Sequence, residues 1–302
     1  MKHYSVLLKE AVDGLVVQEG GVYVDGTFGG GGHSRLILER LGDGILYGFD
    51  QDSSVFEGAP DDSRLRLRHN NFADMADVLR ADGVTRVHGV LLDLGVSSMQ
   101  FDEGDRGFSY RHAAELDMRM NQHATLTAEY VVNQYSLEDL WYMFSDYGEI
   151  RNSKKLAEAL VSFRKLTPIK TTAELALVAE QNAVGSKMRY LSQVFQAIRI
   201  EVNDEMGALK RFLSRLPEMV LPGGRVAIIS FHSLEDRLVK NYFKHGVVDR
   251  KKPQENYDNP NRKWHSITKK PLMPGPAERA ENIRSRSAKL RIAERTENED
   301  AA

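Results

Sequence analysis

The chain has 302 residues, 41% of them hydrophobic and 28% charged, with a formal net charge of −2 at pH 7. These values predict a globular protein of one large or two ordinary domains, and argue against a uniformly basic nucleic-acid binder. Cysteine is absent, which excludes disulfides and thiolate metal sites. No apolar run is long enough for a membrane span and Met1–Lys2–His3–Tyr4 begins no signal peptide, so the cytosol is the expected compartment.

Residues 5–19 read as an amphipathic helix, with Leu7, Leu8, Ala11, Val12 and Leu15 at helical spacing. Val22–Tyr23–Val24–Asp25 is a short strand running into the glycine cluster Gly26 to Gly32, and Leu36, Ile37 and Leu41 then mark a helix stopped at Gly42. Strand, glycine turn and helix form the local plan of a nucleotide-type site in an open α/β sheet. Glycine lets the backbone approach a ligand closely and adopt positive φ. No Lys-Ser or Lys-Thr follows the glycines, which excludes a Walker phosphate loop. Further strands are predicted at Ile45–Asp50, Leu65–His69 and Val87–Asp93, with a helix through Met75, Val78 and Leu79. Strands alternating with helices imply parallel pairing and a ligand crevice at the carboxyl ends of the strands. Asp25, Asp50 and Asp93 all fall there, as does Phe72, and the three acids suggest a ligand with several donors and a positive charge.

Past Asp93 the rhythm stops in a loop through Leu94–Ser98 and Gln100. Residues 107–190 read as an inserted helical subdomain. Its helices carry Leu137, Leu140, Trp141 and Phe144 after a capping box at Ser136 and Asp139, and Leu156, Leu160 and Phe163. Another follows a capping box at Thr171 and Glu174. One long helix is expected from Leu191 to Leu216, then a strand at Arg225–Ser230 and a last one at Ala288–Ala293, with 247–276 as a loop. The C-terminal quarter is basic, net +5 over 250–270 and +4 over 279–295. Trp264 and Tyr257 are interleaved there, which suggests contact with a phosphate backbone.

The string Asp25 to Ser34 joins Leu91–Ser98, Leu116–Met120, Phe195–Asn203, Ile229–Arg237 and Arg284–Arg291 in one order and spacing. Together they closely resemble the bacterial ribosomal RNA small-subunit methyltransferase H family, also called MraW, over nearly the whole chain. The resemblance implies a class I S-adenosylmethionine-dependent methyltransferase fold, α/β and Rossmann-like, with a mostly parallel sheet. The methyltransferase domain would comprise 1–106 and 191–302, and the inserted helical subdomain at 107–190 would recognise substrate. The implied reaction methylates the exocyclic N(4) amine of a cytosine in the decoding centre of 16S rRNA. The implied partner is that rRNA, within the small ribosomal subunit and away from any membrane; a homodimer is compatible with it.

Carried over position by position, the family's cofactor contacts fall on Gly31, Gly32, His33, Asp50, Phe72, Asp93 and Gln100. Met99 stands where the family usually has proline, and Ser192–Gln193 where it usually has Thr-Arg. A cytosine amine is a poor nucleophile, so the reaction needs in-line positioning and acceptors for the amine protons. Asp93, Ser97 and Ser98 are the expected catalytic groups. Asp117, Arg119 and His232 are candidate substrate contacts, each with a structural alternative: an internal ion pair for the first two, and a histidine satisfied by Asp236 or backbone for the third. Two other functions use similar parts, a nicotinamide-dependent oxidoreductase and a non-catalytic RNA-binding factor. A serine hydrolase is disfavoured because the Gly-x-Ser-x-Gly elbow is missing, and a metal enzyme because the nine histidines are scattered.

Overall fold

Four of the apolar runs pair as parallel strands. In the computed structural model, which describes residues 5–95, 104–248 and 263–296, β1 (Val22–Asp25), β2 (Ile45–Asp50), β3 (Leu65–His69) and β4 (Val87–Asp93) lie in one sheet with β5 (Val220–Ser230). β6 (Trp264–Ser266) and β7 (Lys289–Arg295) complete it in the order β3-β2-β1-β4-β5-β7-β6. β1 to β5 are parallel, whereas β7 runs antiparallel to both β5 and β6.

The central strands are apolar throughout because both faces are covered. Val90 and Leu92 of β4 and Ile228 of β5 belong to a core on one face, with α3 (Met75–Ala81), α9 (Glu205–Met219) and α10 (Ser233–His245). Leu91, Ala227 and Ile229, one residue out of phase, belong to the opposite core with α1 (Leu8–Leu15) and α2 (Gly32–Arg40). Two-residue alternation thus sends consecutive side chains of one strand into different cores.

The chain divides into two compact units, one of Met1–Gly95 with Met206–Ala302 and one of Val96–Glu205. The second unit is wider than the 107–190 read from the sequence. It contains α4 (Ala128–Gln134), α5 (Leu137–Asp146), α6 (Ser153–Arg164), α7 (Thr172–Gln181) and α8 (Lys187–Val202) around its own core. Tyr190, Leu191, Val194, Phe195 and Ile198 of α8 are buried in that core, with Leu140, Phe144, Leu156 and Leu175, so α8 belongs to this unit. Thr171 and Glu174 form the reciprocal capping box expected before α7. Before α5, Ser136 caps the Asp139 amide and its hydroxyl donates to the Asp139 carboxylate, so the second half of a box is missing.

Three other expectations differ from the structure. The opening helix is shorter than 5–19, because Leu7 and Val16, both at φ 50, turn the backbone left-handed at its two ends. The long helix is two helices, α8 and α9, broken where Asp204 takes φ 47. At the break the Asn203 side chain accepts from the Met120 amide and donates to the Met118 carbonyl, both at 2.8 Å. Finally, the segment read as a loop holds β6, and Trp264 there is 1% exposed, packed on Tyr242 and Phe243 with its N–H toward the Tyr242 hydroxyl at 3.2 Å. It is a core residue and cannot stack on nucleic acid; Tyr257 lies outside the described residues.

Two substitutions probe these cores. Leu91→Ala, at a fully buried position between β1 and β5, should cost about 2–5 kcal/mol in chemical unfolding of the full chain. Asn203→Ala should cost about 1–3 kcal/mol by orphaning the Met120 N–H and the Met118 C=O. An unchanged unfolding curve for Asn203→Ala would show that water replaces the amide freely.

Candidate active site

The sheet order reverses between β1 and β4, and that switch point is where an open α/β sheet forms its ligand crevice. Asp25 pairs in register with Gly48 on one side and Leu91 on the other. Asp50 and Asp93 each lie two residues further along, at the carboxyl ends of β2 and β4, flanking the turn that follows β1.

Hydrogen bonds to the strand ends fix the turn. Asp25 is fully buried, accepting from the Ser34 hydroxyl at 2.7 Å and the Thr27 amide at 3.2 Å. The Thr27 hydroxyl accepts from the Asp93 amide at 2.6 Å, and the Gly29 amide donates to Asp50 Oδ2 at 2.9 Å. Gly26 must be glycine, because a Cβ there would strike the Leu92 side chain and lie 2.8 Å from Met75 Cε. Gly29 and Gly31 take φ of 49 and 72, and Gly31 caps the first turn of α2. A Cβ on Gly32 would collide with Ser5.

The three acids therefore differ in role. Asp25 has both oxygens occupied by the protein, which corrects its expected place beside the ligand: it holds the turn. Burial raises its pKa to about 6 against the lowering effect of Ser34 and Thr27. Asp50 receives the Gly29 amide on one oxygen and the Asp52 amide on the other, leaving further lone pairs for a ligand. Burial raises it to about 6 as well. Asp93 is half-buried, and its Oδ1 is enclosed with no hydrogen-bond partner among the described residues. Burial first, then the charge of Asp25, pushes this carboxyl well above the usual range.

His33, at the start of α2, is buried, with Nε2 at 3.1 Å from the Val6 carbonyl and Nδ1 at 4.0 Å from Asp93 Oδ2. Phe72 is half-buried, edge-on to Phe212 with centroids 5.7 Å apart. The structure thus brings Gly31, Gly32, His33, Asp50 and Asp93 to one edge of the sheet, with Phe72 just past β3. Ser97, Ser98, Met99 and Gln100 lie outside the described residues.

The other expected site residues have structural partners. Asp117 and Arg119 form a two-pronged ion pair at 2.8 and 2.6 Å, and Arg119 also holds the carbonyls of Gln122 and Ala124. His232 caps α10 in a reciprocal box with Glu235, its Nδ1 accepting from the Glu235 amide at 3.4 Å, so it is satisfied by backbone and not by Asp236. Asp236 binds Lys289 and Arg291 at 3.0 and 2.6 Å. Arg225 pairs with Glu294, and Arg295 donates to the Val220 carbonyl. Much of the basic run over 279–295 therefore serves the sheet. Ser192 is exposed and donates to the Met188 carbonyl one turn back, and Gln193 donates to the Gly148 carbonyl, at 2.9 Å each.

Sequence reasoning missed Thr27 and Ser34 as the groups that hold the acids. Both stand inside the glycine string, but a hydroxyl two or nine residues from a strand end is common anywhere. Glu278 was missed too: it accepts from the Leu7 amide at 2.8 Å, across 271 residues of chain, and its charge acts on Asp93.

Residues 1–296 match the model of the MraW methylase family. The ribosomal RNA small subunit methyltransferase H of Christiangramia forsetii is 48% identical over 296 residues, 96% of this chain and 97% of that one. The protein of the same name from Cytophaga hutchinsonii is 47% identical over 298 residues, 98% of this chain and all of its own. Among solved structures, a putative methyltransferase from Streptococcus mutans in complex with SAH aligns over 97% of this chain and 99% of that chain, at 10% identity and a TM-score of 0.42. An end-to-end family match, carried by a Rossmann-like sheet of the class I methyltransferase kind, places this chain in the MraW methylase family.

Proposed function

We propose that the protein transfers a methyl group from S-adenosylmethionine to RNA of the small ribosomal subunit, and more specifically to the N(4) amine of a cytosine in the decoding centre of 16S rRNA. The observation that carries this reading is the pair of strand-end carboxyls, Asp50 and Asp93, on either side of a glycine turn at the switch point of the sheet. The enclosed, unpartnered Oδ1 of Asp93 fits a bound molecule bearing an N–H donor, and the positive φ of Gly29 and Gly31 opens the backbone beside it.

When bound, S-adenosylmethionine supplies an electrophilic methyl group on a positively charged sulfur. Asp50 accepts from the ribose hydroxyls, Phe72 packs on the adenine, and Gly31, Gly32 and His33 border the methionine part. Asp93, with Ser97 and Ser98, would accept the amine protons of the target base and position its nitrogen toward the methyl group, and Gln100 would contact the cofactor. Proton loss follows easily once the amine is alkylated, so no strong base is required. The target base leaves its stack to reach the crevice, and the helical unit and the basic stretch over 250–270 grip the flanking RNA. Asp117, Arg119 and His232 support substrate binding by fixing the backbone around them.

Three measurements test this. Nucleoside mass spectrometry of 16S rRNA should show N(4)-methylated cytidine in cells with the protein and its loss in cells without it; an unchanged nucleoside profile rejects the reaction. Asp50→Asn should weaken binding of S-adenosylhomocysteine by about 1–3 kcal/mol at neutral pH. For the unsubstituted chain, affinity should be constant above pH 7 and fall as pH drops through about 6, because protonated Asp50 loses the acceptor that the ribose needs. The Asn variant should show a shallower fall, the remainder coming from Asp25, which also titrates at about 6, and identical pH profiles would remove Asp50 from the ribose. Charge reversal at Lys251, Lys252 and Lys263 should weaken RNA binding and reduce its salt slope by about 2–3. An unaltered slope would make that stretch ordinary solvated surface.

A further inference from the structure

The second unit carries a cavity that the methyl-transfer chemistry does not use. It measures about 430 Å³ and is lined by Tyr135, Tyr142, Tyr147, Asp139, Asp146, Glu201 and Met143, of which Asp139, Tyr142 and Asp146 are exposed. Asp139, Tyr142, Met143 and Asp146 recur at three- and four-residue spacing along α5, hence on one face, while Glu201 comes from α8. The Tyr135 hydroxyl donates to Glu201 Oε1 at 2.7 Å. No lysine or arginine pairs with Asp139, Asp146 or Glu201 among the described residues; Lys154 of α6 lies over Trp141 instead. The negative charge is felt locally: burial and then Glu201 raise the Tyr135 hydroxyl, and burial, Glu201, Asp204 and Asp146 raise that of Tyr147.

The lining selects its occupant. RNA phosphate is repelled, and an apolar ligand would desolvate carboxylates without pairing them. The three acids do not converge within chelating distance of one another, so a small divalent ion is poorly served. A guanidinium or alkylammonium group suits every wall: aromatic faces attract the cation, the carboxylates accept its N–H groups, and Met143 covers its aliphatic stem. We propose that this cavity binds an arginine or lysine side chain of a basic polypeptide. The choice of a polypeptide neighbour rests on the rRNA reading above, since proteins that coat rRNA carry lysine and arginine to neutralise phosphate. The protein would then touch both components of a ribonucleoprotein, RNA through the basic stretch over 250–270 and protein through this cavity.

Isothermal titration of the full chain at low salt with the peptide acetyl-Gly-Arg-Gly-Arg-Gly-amide, and separately with spermidine, tests the assignment. Saturable peptide binding is expected, weakened at least about tenfold by Asp139→Asn with Asp146→Asn and, independently, by Tyr142→Ala. S-adenosylhomocysteine affinity should be unchanged in both variants, and an unchanged unfolding curve and circular dichroism spectrum verify that the second unit is folded. Absence of saturable binding, or equal affinity in the variants, overturns the proposal; spermidine binding more tightly than the peptide overturns its polypeptide part. In methylation assays the double variant should be slowed about tenfold on assembled small subunits and unaffected on protein-free rRNA; equal rates on both overturn the docking role. The titration involves no methyl transfer, so its failure counts against the cavity alone. Inactivity of the unsubstituted chain on both substrates counts against the proposed reaction alone.

Discussion

Asp25 is the constraint on which the site geometry depends. A carboxylate with no exposed surface sits under the glycine turn and is held by one hydroxyl and one amide of that turn, Ser34 and Thr27. Burying such a group is unfavourable, and the elevated pKa is the record of that cost. Its two bonds tie the end of β1 to the first turn of α2. The same Thr27 reaches across to the Asp93 amide, and Gly29 reaches the other way to Asp50. Both strand-end acids, Asp50 and Asp93, are thus indexed to one turn, and the turn to one buried carboxylate.

The sheet allows this because its middle strands need no polar residues along their length. With helices covering both faces, acids can occur at the strand ends, where water or a ligand meets them. The antiparallel β7 closes the far side and consumes basic residues in doing so. Lys289 and Arg291 neutralise Asp236, which follows directly on the Glu235 that caps α10 with His232. Half of a run that looks like a cationic surface in sequence, Lys289, Arg291 and Arg295, is internal wiring in three dimensions, while Arg279, Arg284 and Arg286 stay exposed.

The helical unit makes a different use of charge. Its folding is governed by a separate core, and Asn203 at the end of α8 ties down the Met118–Met120 backbone across more than eighty residues of chain. Asp117 and Arg119 lock the neighbouring segment by pairing with each other. Charges satisfied inside the unit leave the three carboxylates of the tyrosine-lined cavity as an acidic feature with no paired cation among the described residues. An RNA-modifying protein has little electrostatic reason to keep such a feature unless something basic approaches it.

The amino-acid sequence by itself determined the parallel strands, the glycine turn and the acids at the strand ends, because these depend on two-residue periodicity and on residues adjacent in the chain. It also determined the family, since six short strings in fixed order survive without knowledge of any contact. Tertiary structure alone decided which acid has both oxygens held by the protein and which keeps an unpartnered one, where the helix from Leu191 onward breaks, and that Trp264 is core. It likewise decided that His232 caps a helix, and that tyrosines and acids from α5 and α8 enclose a cavity. Each of those outcomes turns on partners brought together by packing, such as Thr27 with Asp93 or Tyr135 with Glu201, 66 residues apart in both cases. Local pattern carries no information about a hydrogen bond whose other half is that far along the chain.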